Sequence, residues 1–511
     1  MSIIDMHTHV PPASRWLEFR REMQRHNITL SLCSSLGLDD WPQFPDSVQL
    51  RQANAQAAEF CVHSGGMLLW LAYINPLNAD WRAELELCLA QGCRGIKLWI
   101  SLRRENFASL SAVHAVLEAA LELNLPVLIH TFHRSDALLP GEISLAEFAQ
   151  LASEFPALQM IGAHAGCNWH QAIGLLDGLP NAYVDISGGM PEAGMLEALL
   201  ADLGAERIMF GSDALGRSFG SQLAKVFFAR CTQEERALVL KLNAQRVFNI
   251  SETELSRARQ SAAKLPALPK LPLPEQQEDH FIFAEDLPFK RAALEGLAAL
   301  SEALQSAGLK RAYCVNGNSV YSLDTMQENR FFAAAAASLP DTTPLFPLAT
   351  LLPGAYNWRA QLRQAQQDFG GGWVSPYLHA WRLDDERQAE FFAACAEAGF
   401  PLWINLRLHD WRFRPAGSAP RAVSQAELLG FLAQAPPGAY VFQGANKTEV
   451  EAILSTQRED LRCECSRLLD GTGLLDEMLG RFDPDRLLLG SEYPLRELGC
   501  NAYCLKKQTG F

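Results

Sequence analysis

Two histidines stand two positions apart near the start of the chain, in Ile3-Ile4-Asp5-Met6-His7-Thr8-His9. In a β-strand, residues i and i+2 leave the same face. Both imidazoles would therefore project together from one strand, a geometry suited to gripping one metal ion. Histidine pairs also occur as ordinary surface or core residues, and the pair alone does not separate the two readings. Further metal-ligating or proton-transferring groups recur downstream, each at the exit of a short apolar run. They are Lys97 in Gly95-Ile96-Lys97-Leu98, His130 in Leu128-Ile129-His130, His164 in Gly162-Ala163-His164 and Asp213 in Gly211-Ser212-Asp213. Five runs that deliver such groups point to one metal-dependent site. Neutral imidazoles and a carboxylate suit Zn²⁺ with a position left open for water, whose pKa the metal lowers. Asp213 can touch the metal, accept the water's proton and pass it to a leaving group. His164 can hold a developing oxyanion or act as a second acid.

The elements that must position these groups follow from the pattern of residues 1–250. Eight short apolar runs alternate with helix-like stretches: the opening run, 28–33, 67–74, 95–100, 126–131, 158–163, 182–186 and 207–211. Strand–helix alternation repeated eight times over such a length is the layout of a (β/α)8 TIM barrel, an α/β fold. A doubly wound open sheet alternates similarly. Eight strands, and no Gly-rich phosphate loop after the first, favour the barrel. Barrel chemistry sits at the C-terminal ends of the strands, where all five groups fall.

The set His7, His9, Lys97, His130, His164 and Asp213, closing with Asn243-Ala244-Gln245-Arg246-Val247-Phe248, resembles the amidohydrolase superfamily. It is most similar to the branch of aminocarboxymuconate-semialdehyde decarboxylase and related metal-dependent hydrolases. The resemblance covers essentially all of residues 1–250. It implies a divalent metal, usually zinc, held by His7, His9, His130 and Asp213. His164 matches a histidine that binds a second metal in some members and polarises substrate in others. Lys97 matches a position that is carboxylated and bridges two metals in binuclear members, so one ion or two is open.

Arg134 and Arg217 lie on loops above the expected rim, where guanidinium groups could pair bidentately with a substrate carboxylate. His133, Thr131, Trp99, Asn168 and Trp169 are candidate pocket residues. Each also has an ordinary loop or core reading.

Residues 251–279 change character, with prolines every two or three positions from Pro266 to Pro274, and are expected to form an extended linker. Beyond it, parts of the first half recur. Trp81-Arg82-Ala83 returns as Trp358-Arg359-Ala360 (358 − 81 = 277). Pro126 to His130 returns as Pro401 to Asn405 (401 − 126 = 275), and Gly211-Ser212-Asp213 as Gly490-Ser491-Glu492 (490 − 211 = 279). Near-constant offsets suggest a tandem duplication, with a second, degenerate barrel over 280–511. His-x-His is missing there, Asn405 replaces His130, Gly444 falls near the place of His164, and Lys97 maps near Ser375 or Pro376. Only Glu492 keeps a carboxylate. The second half is therefore expected to be non-catalytic and to form an intramolecular pseudo-dimer with the first.

Composition narrows the partners. A net charge of −14 over 511 residues disfavours nucleic acid and anionic membranes. The apolar runs are too short to span a bilayer. Twelve scattered cysteines with no C-x-x-C pair suit a reduced, cytoplasmic protein. The leading expectation is a metal-dependent hydrolase that cleaves a C–N or C–O bond, in an amide or a lactone, of a small carboxylated metabolite. Non-oxidative decarboxylation or hydration on the same metal is the alternative enzyme. A non-enzymatic binding module is the alternative class.

Overall fold

Buried apolar runs set the strands of the first unit. The computed structural model of the chain describes residues 2–37, 45–99, 110–133, 138, 142–172, 174–214, 216–270, 277–287, 290–322, 324–340, 342, 344–408 and 422–509. Contacts divide the chain into two units, one mainly Met1–Met190 with Gly194–Pro269, the other mainly Lys270–Trp411 with Gly417–Phe511.

In the first unit the strands are β1 (Ile3–His9), β2 (Ile28–Ser34), β3 (Leu68–Trp70), β4 (Ala72–Tyr73), β5 (Ile96–Leu98), β6 (Val127–Ile129), β7 (Met160–Gly162), β8 (Ala182–Asp185) and β9 (Ile208–Met209). Each pairs in parallel with the next, except that β3 and β4 are one stave interrupted at Leu71. The ring closes where the amide of Met6 donates to Phe210 O and the amides of Ser212 and Asp213 donate to His7 O. The eight staves match the eight apolar runs. Along β1 the side chains alternate. Ile4 and Met6 join Leu30, Leu128, Ile161, Val247 and Phe248 in an apolar cluster. Asp5 and His7 instead reach groups of the last two staves. The period of two thus sends carboxylate and imidazoles to one side and the core to the other.

Helices alternate with the staves along the chain, and several are started by their own side chains. Asp46, Ser144 and Ser251 each form a capping box with the residue three positions on. The last of these corrects the extended linker expected over 251–279. Residues Glu252–Ala262 form a helix, because Ser251 and Glu254 satisfy its first amides and Leu255 and Ala258 are buried. Leu255 and Ile250 belong to the same apolar cluster as Ile4 and Met6. Arg21, Gln24 and Arg25 then donate to the carbonyls of Ala267, Ala262 and Pro269. The chain is tied to the first unit well past residue 250.

The second unit is a second ring of eight parallel strands: β10 (Glu278–Ala284), β11 (Arg311–Asn316), β12 (Leu345–Thr350), β13 (Gly372–Val374), β14 (Leu402–Asn405), β15 (Tyr440–Gln443), β16 (Leu461–Glu464) and β17 (Leu487–Leu488). His280 N–H donates to Leu489 O and Glu492 N–H to Phe281 O, which brings the last stave to the first. Among the described residues no helix is long and apolar enough to cross a membrane.

Candidate active site

Six groups converge where the strands of the first barrel end. Nitrogens of His7 and His164 and a carboxylate oxygen of Asp213 all lie within 4.8 Å of one another. His9 Nε2 is 3.1 Å from Asp213 Oδ1. Lys97 Nζ donates to His7 Nε2 at 3.0 Å, and His130 Nδ1 is 3.3 Å from His164 Nε2. The structure thus brings together every metal-site candidate of the sequence: His7, His9, Lys97, His130, His164 and Asp213.

Backbone geometry aims two of them. His164 and Asp213 have φ of 62° and 60°, a left-handed conformation that non-glycine residues adopt only when held. The holding bonds are visible. His164 N–H donates to Asp185 Oδ1, and Asp213 N–H to His7 O. On the other side of the imidazole, Gly188 comes so close that a Cβ there would sit 2.6 Å from His164 Nδ1.

Asp185, at the end of β8, orients the centre. Its Oδ2 accepts from His7 Nδ1 at 2.9 Å, and its Oδ1 also accepts from Ser187 N–H at 2.8 Å. A proton fixed on Nδ1 leaves the lone pair of His7 on Nε2, the nitrogen turned toward the centre. This is how carboxylates orient metal-binding imidazoles. His9 is arranged alike: Nδ1 donates to Ser34 O at 3.3 Å, which turns Nε2 to Asp213. The side chain of Ser187 lies between His7 Nδ1 and His164 Nδ1, at 3.1 and 2.8 Å.

Electrostatics separate the groups. Burial pushes the His7 imidazole down to about 4, with the Lys97 ammonium adding to the effect. Burial also lowers His130 and His164. All three are neutral, as ligands must be. Burial draws Lys97 down to about 8. For Asp213 burial acts upward, but the hydrogen bond to His9 and the nearby His164 outweigh it and hold the carboxyl well below its usual range. Asp185 is likewise ionised, its burial outweighed by His7. Asp5, fully buried and bonded to the amides of His7 and Ser212, is pushed up to about 8 by that burial.

The donor set fits a divalent cation. His9 Nε2 and Asp213 Oδ1 lie 3.1 Å apart, so an imidazole nitrogen and a carboxylate oxygen, both groups that bind divalent ions, stand side by side. His130 Nε2 is buried without a hydrogen bond, with Glu142 Oε1 at 3.5 Å.

Of the substrate-site candidates, Trp99 packs edge-on against His130, ring centroids 5.9 Å apart. The amide of Arg217 donates to Asp213 O, and its guanidinium to Gly216 O. His133 is half-buried beyond His130. Arg134 lies outside the described residues. Sequence reasoning missed Asp185, Ser187, Asp5, Ser34 and Glu142. Asp185 ends β8, but the seventh apolar run continues through Ile186 and masks it.

The amidohydrolase family model matches residues 4–250. The match covers the first barrel and just under half of the chain. At the level of that match the chain is an enzyme. No curated protein matches the chain. Several solved structures are similar to it. A 2,6-dihydroxybenzoate decarboxylase from Rhizobium is 18% identical over 49% of this chain and 99% of its own, with a TM-score of 0.40. A putative amidohydrolase from Staphylococcus aureus is 15% identical over 49% of this chain and 100% of its own, with a TM-score of 0.41. A putative 2-pyrone-4,6-dicarboxylic acid hydrolase from Pseudomonas putida is 21% identical over 48% of this chain and 97% of its own, with a TM-score of 0.37. In this amidohydrolase barrel the imidazoles, the lysine and the carboxylate all stand at the strand ends where barrel chemistry is done.

Proposed function

We propose that the first barrel is a hydrolase that uses water to cleave a C–N or C–O bond, in an amide or a lactone, of a small carboxylated metabolite. The observation that carries this reading is the cluster of His7, His164 and Asp213, with His7 oriented by Asp185 and Asp213 kept ionised by the imidazoles around it. His7, His9, His130 and Asp213 would hold the ion, and nitrogen donors with one carboxylate favour Zn²⁺. A bound divalent ion supplies Lewis acidity that polarises a substrate oxygen and acidifies water. Asp213 Oδ2 takes the proton of the attacking water and returns it to the leaving nitrogen or oxygen. His164, held through Nδ1 by Ser187, presents Nε2 toward the centre, where it can steady the developing oxyanion. The Lys97 ammonium adds positive charge that favours an anionic substrate, and Arg134 and Arg217 are the candidates for its carboxylate.

The experiment is turnover of a panel of carboxylated amides and lactones by the zinc-loaded protein in H₂¹⁸O. Incorporation of ¹⁸O into the product acid, lost in Asp213→Asn, supports hydrolysis. Release of CO₂ with no ¹⁸O gained overturns it in favour of decarboxylation on the same centre.

We further propose that the second barrel is a degenerate copy of the first. Paired hydrogen bonds support this. Asp279 Oδ1 accepts from the amides of Phe281 and Ser491 as Asp5 Oδ1 does from His7 and Ser212. Glu464 accepts from the amides of Gly444 and Ser466 as Asp185 does from His164 and Ser187. Asn329 brackets Thr350 as Asn54 brackets Tyr73. Phe281, Gly444 and Glu492 stand at the places of His7, His164 and Asp213, so no imidazole stands at those two histidine places.

A further inference from the structure

The first barrel carries a second cleft, about 700 Å³ in volume, at the end away from the metal centre. Ser2 and Ile3 stand on its wall where β1 begins, and Ile28 and Thr29 where β2 begins. The same two strands end in His9 and Ser34, at the active site. Barrel chemistry is done at the C-terminal ends of the strands, so this cleft is no extension of that site. Its size is that of a small-molecule site.

Two arginines line the cleft: Arg236, from the helix Gln233–Ala237, and Arg259, from the helix Glu252–Ala262. Among the described residues no carboxylate lines it, and neither guanidinium has an ion-pair partner. The chain holds 58 Asp and Glu against 44 Lys and Arg, so acids are not scarce. Other arginines of this unit have found one: Arg15 pairs with Glu18, Arg25 with Glu22 and Arg94 with Glu254. Arg236 and Arg259 bond neutral acceptors instead. Arg259 Nη1 donates to Ser2 Oγ at 2.6 Å, and Arg236 Nη2 donates to Ala229 O at 3.4 Å. Ser2 lines the cleft too, so its bond sets the Arg259 guanidinium at the wall. Each planar fork keeps donors to spare, and neither charge is neutralised by a contact. Thr29 points to a ligand independently. It lines the cleft, is only 7% exposed, and its hydroxyl makes no hydrogen bond among the described residues. That oxygen is not sealed from solvent, so a molecule in the cleft can reach it. A hydroxyl so deeply placed ordinarily has a partner. Phe227 and Leu240 add apolar wall. Positive forks beside apolar surface suit an anion with an apolar body.

We propose that this cleft binds a small organic anion, its carboxylate or phosphate held by Arg236, Arg259 and the Thr29 hydroxyl, and its apolar part against Phe227 and Leu240. The test titrates the full chain by isothermal titration calorimetry with benzoate, with phenyl phosphate and with neutral benzyl alcohol. It is run on the wild type and on Arg236→Gln, Arg259→Gln, Arg257→Gln and His7→Ala. One anion at least should bind saturably and about tenfold more tightly than benzyl alcohol; the tighter of the two identifies the head group. Its affinity falls about tenfold in Arg236→Gln and in Arg259→Gln. It is unchanged in His7→Ala, which removes an imidazole of the metal-site cluster. It is also unchanged in Arg257→Gln, which removes an exposed charge from the helix of Arg259 but does not line the cleft. Thermal melts check that the variants fold, and Arg259, which is exposed, carries the comparison if Arg236→Gln does not fold. Binding lost in His7→Ala but kept in Arg259→Gln puts the anion on the metal centre and overturns the proposal. Equal losses in Arg257→Gln and Arg259→Gln reduce the effect to surface charge and overturn it as well. So does equal binding of benzyl alcohol, or no saturable binding of either anion at millimolar concentration.

Discussion

Replacing Asp185 with asparagine should weaken metal binding without removing a single ligand. The carboxylate serves two masters. Oδ2 takes the His7 Nδ1 proton at 2.9 Å, while Oδ1 takes the amides of His164 and Ser187 at 3.1 and 2.8 Å. An amide has one oxygen to offer. If that oxygen stays on the two backbone amides, the new NH₂ faces His7 Nδ1, which must then accept. The His7 proton moves to Nε2, the nitrogen turned toward the centre. If the amide flips, its NH₂ confronts two N–H donors, and leaving buried donors unpaired costs about 1–3 kcal/mol. Either state penalises the bound form. Loss of such an orienting partner costs about 10- to 100-fold in metal affinity, or about 1.4–2.7 kcal/mol. The assay is competition for Zn²⁺ between the metal-stripped full chain and a fluorescent chelator, with His7→Ala as the direct ligand loss. The expected order is wild type, then Asp185→Asn, then His7→Ala. If Asp185→Asn binds within about twofold of wild type while His7→Ala fails, the tautomer of His7 does not matter and the reasoning is wrong.

Three further perturbations probe the scaffold. Gly188→Ala places a methyl 2.6 Å from His164 Nδ1 at φ +70°, whereas Gly189→Ala, at φ +60°, meets nothing within 4 Å. Turnover should fall about 100-fold in the first and little in the second, although both carry the same backbone strain; equal losses would mean that His164 is not displaced. Leu255→Ala, in the helix beyond residue 250, should cost about 2–4 kcal/mol in urea unfolding, because Leu255 is fully buried against the barrel core; a cost under about 1 kcal/mol would return that segment to the linker. Burial, with the neighbouring Glu492 adding to it, pushes Glu464 up to about 7. The native state then holds a proton that the unfolded chain has released, so stability is full below the unfolded value of 4.5 and is lost as pH rises toward 7. The loss is at most about 3 kcal/mol. Glu464→Gln should remove that slope between pH 5 and 7 in denaturant melts, and an unchanged slope would assign the titration elsewhere.

All eight strands of the first barrel were legible because a barrel stave is buried on both faces and reads as a short apolar run. Its metal-site residues were legible because they interrupt those runs at their exits. Asp185 was not singled out, because in Ala182-Tyr183-Val184-Asp185-Ile186 it is followed by another apolar residue and reads as strand interior. Glu142 escaped for a different reason. It comes from the segment before the helix Leu145–Glu154, where no periodicity ties it to His130. The helix after residue 250 was signalled by Ser251 and Glu254, spaced as a capping box. The prolines that follow it carried the reading of the whole stretch. They begin at Pro266 and say nothing about the residues before them.

The second barrel separates scaffold from chemistry within one chain. Acidic side chains that hold backbone amides stand in both barrels: Asp5 and Asp185 in the first, Asp279 and Glu464 in the second. Their presence where Phe281 and Gly444 replace the site histidines marks amide-holding as a duty to the fold. The group that changes partners is the last carboxylate. Asp213, at φ 60°, faces His9 and the centre. Glu492, at φ 56°, is taken up by Ser466, Arg467 and Arg496, and Arg496 makes a second, bidentate pair with Asp470. Guanidinium groups thus supply, from the protein itself, the positive charge that a buried carboxylate needs. The first barrel leaves that charge to be supplied by an ion. A strand-end carboxylate kept ionised among neutral imidazoles and a lysine, with no arginine satisfying it in the described contacts, is a site built to remain electrostatically incomplete until its cation arrives.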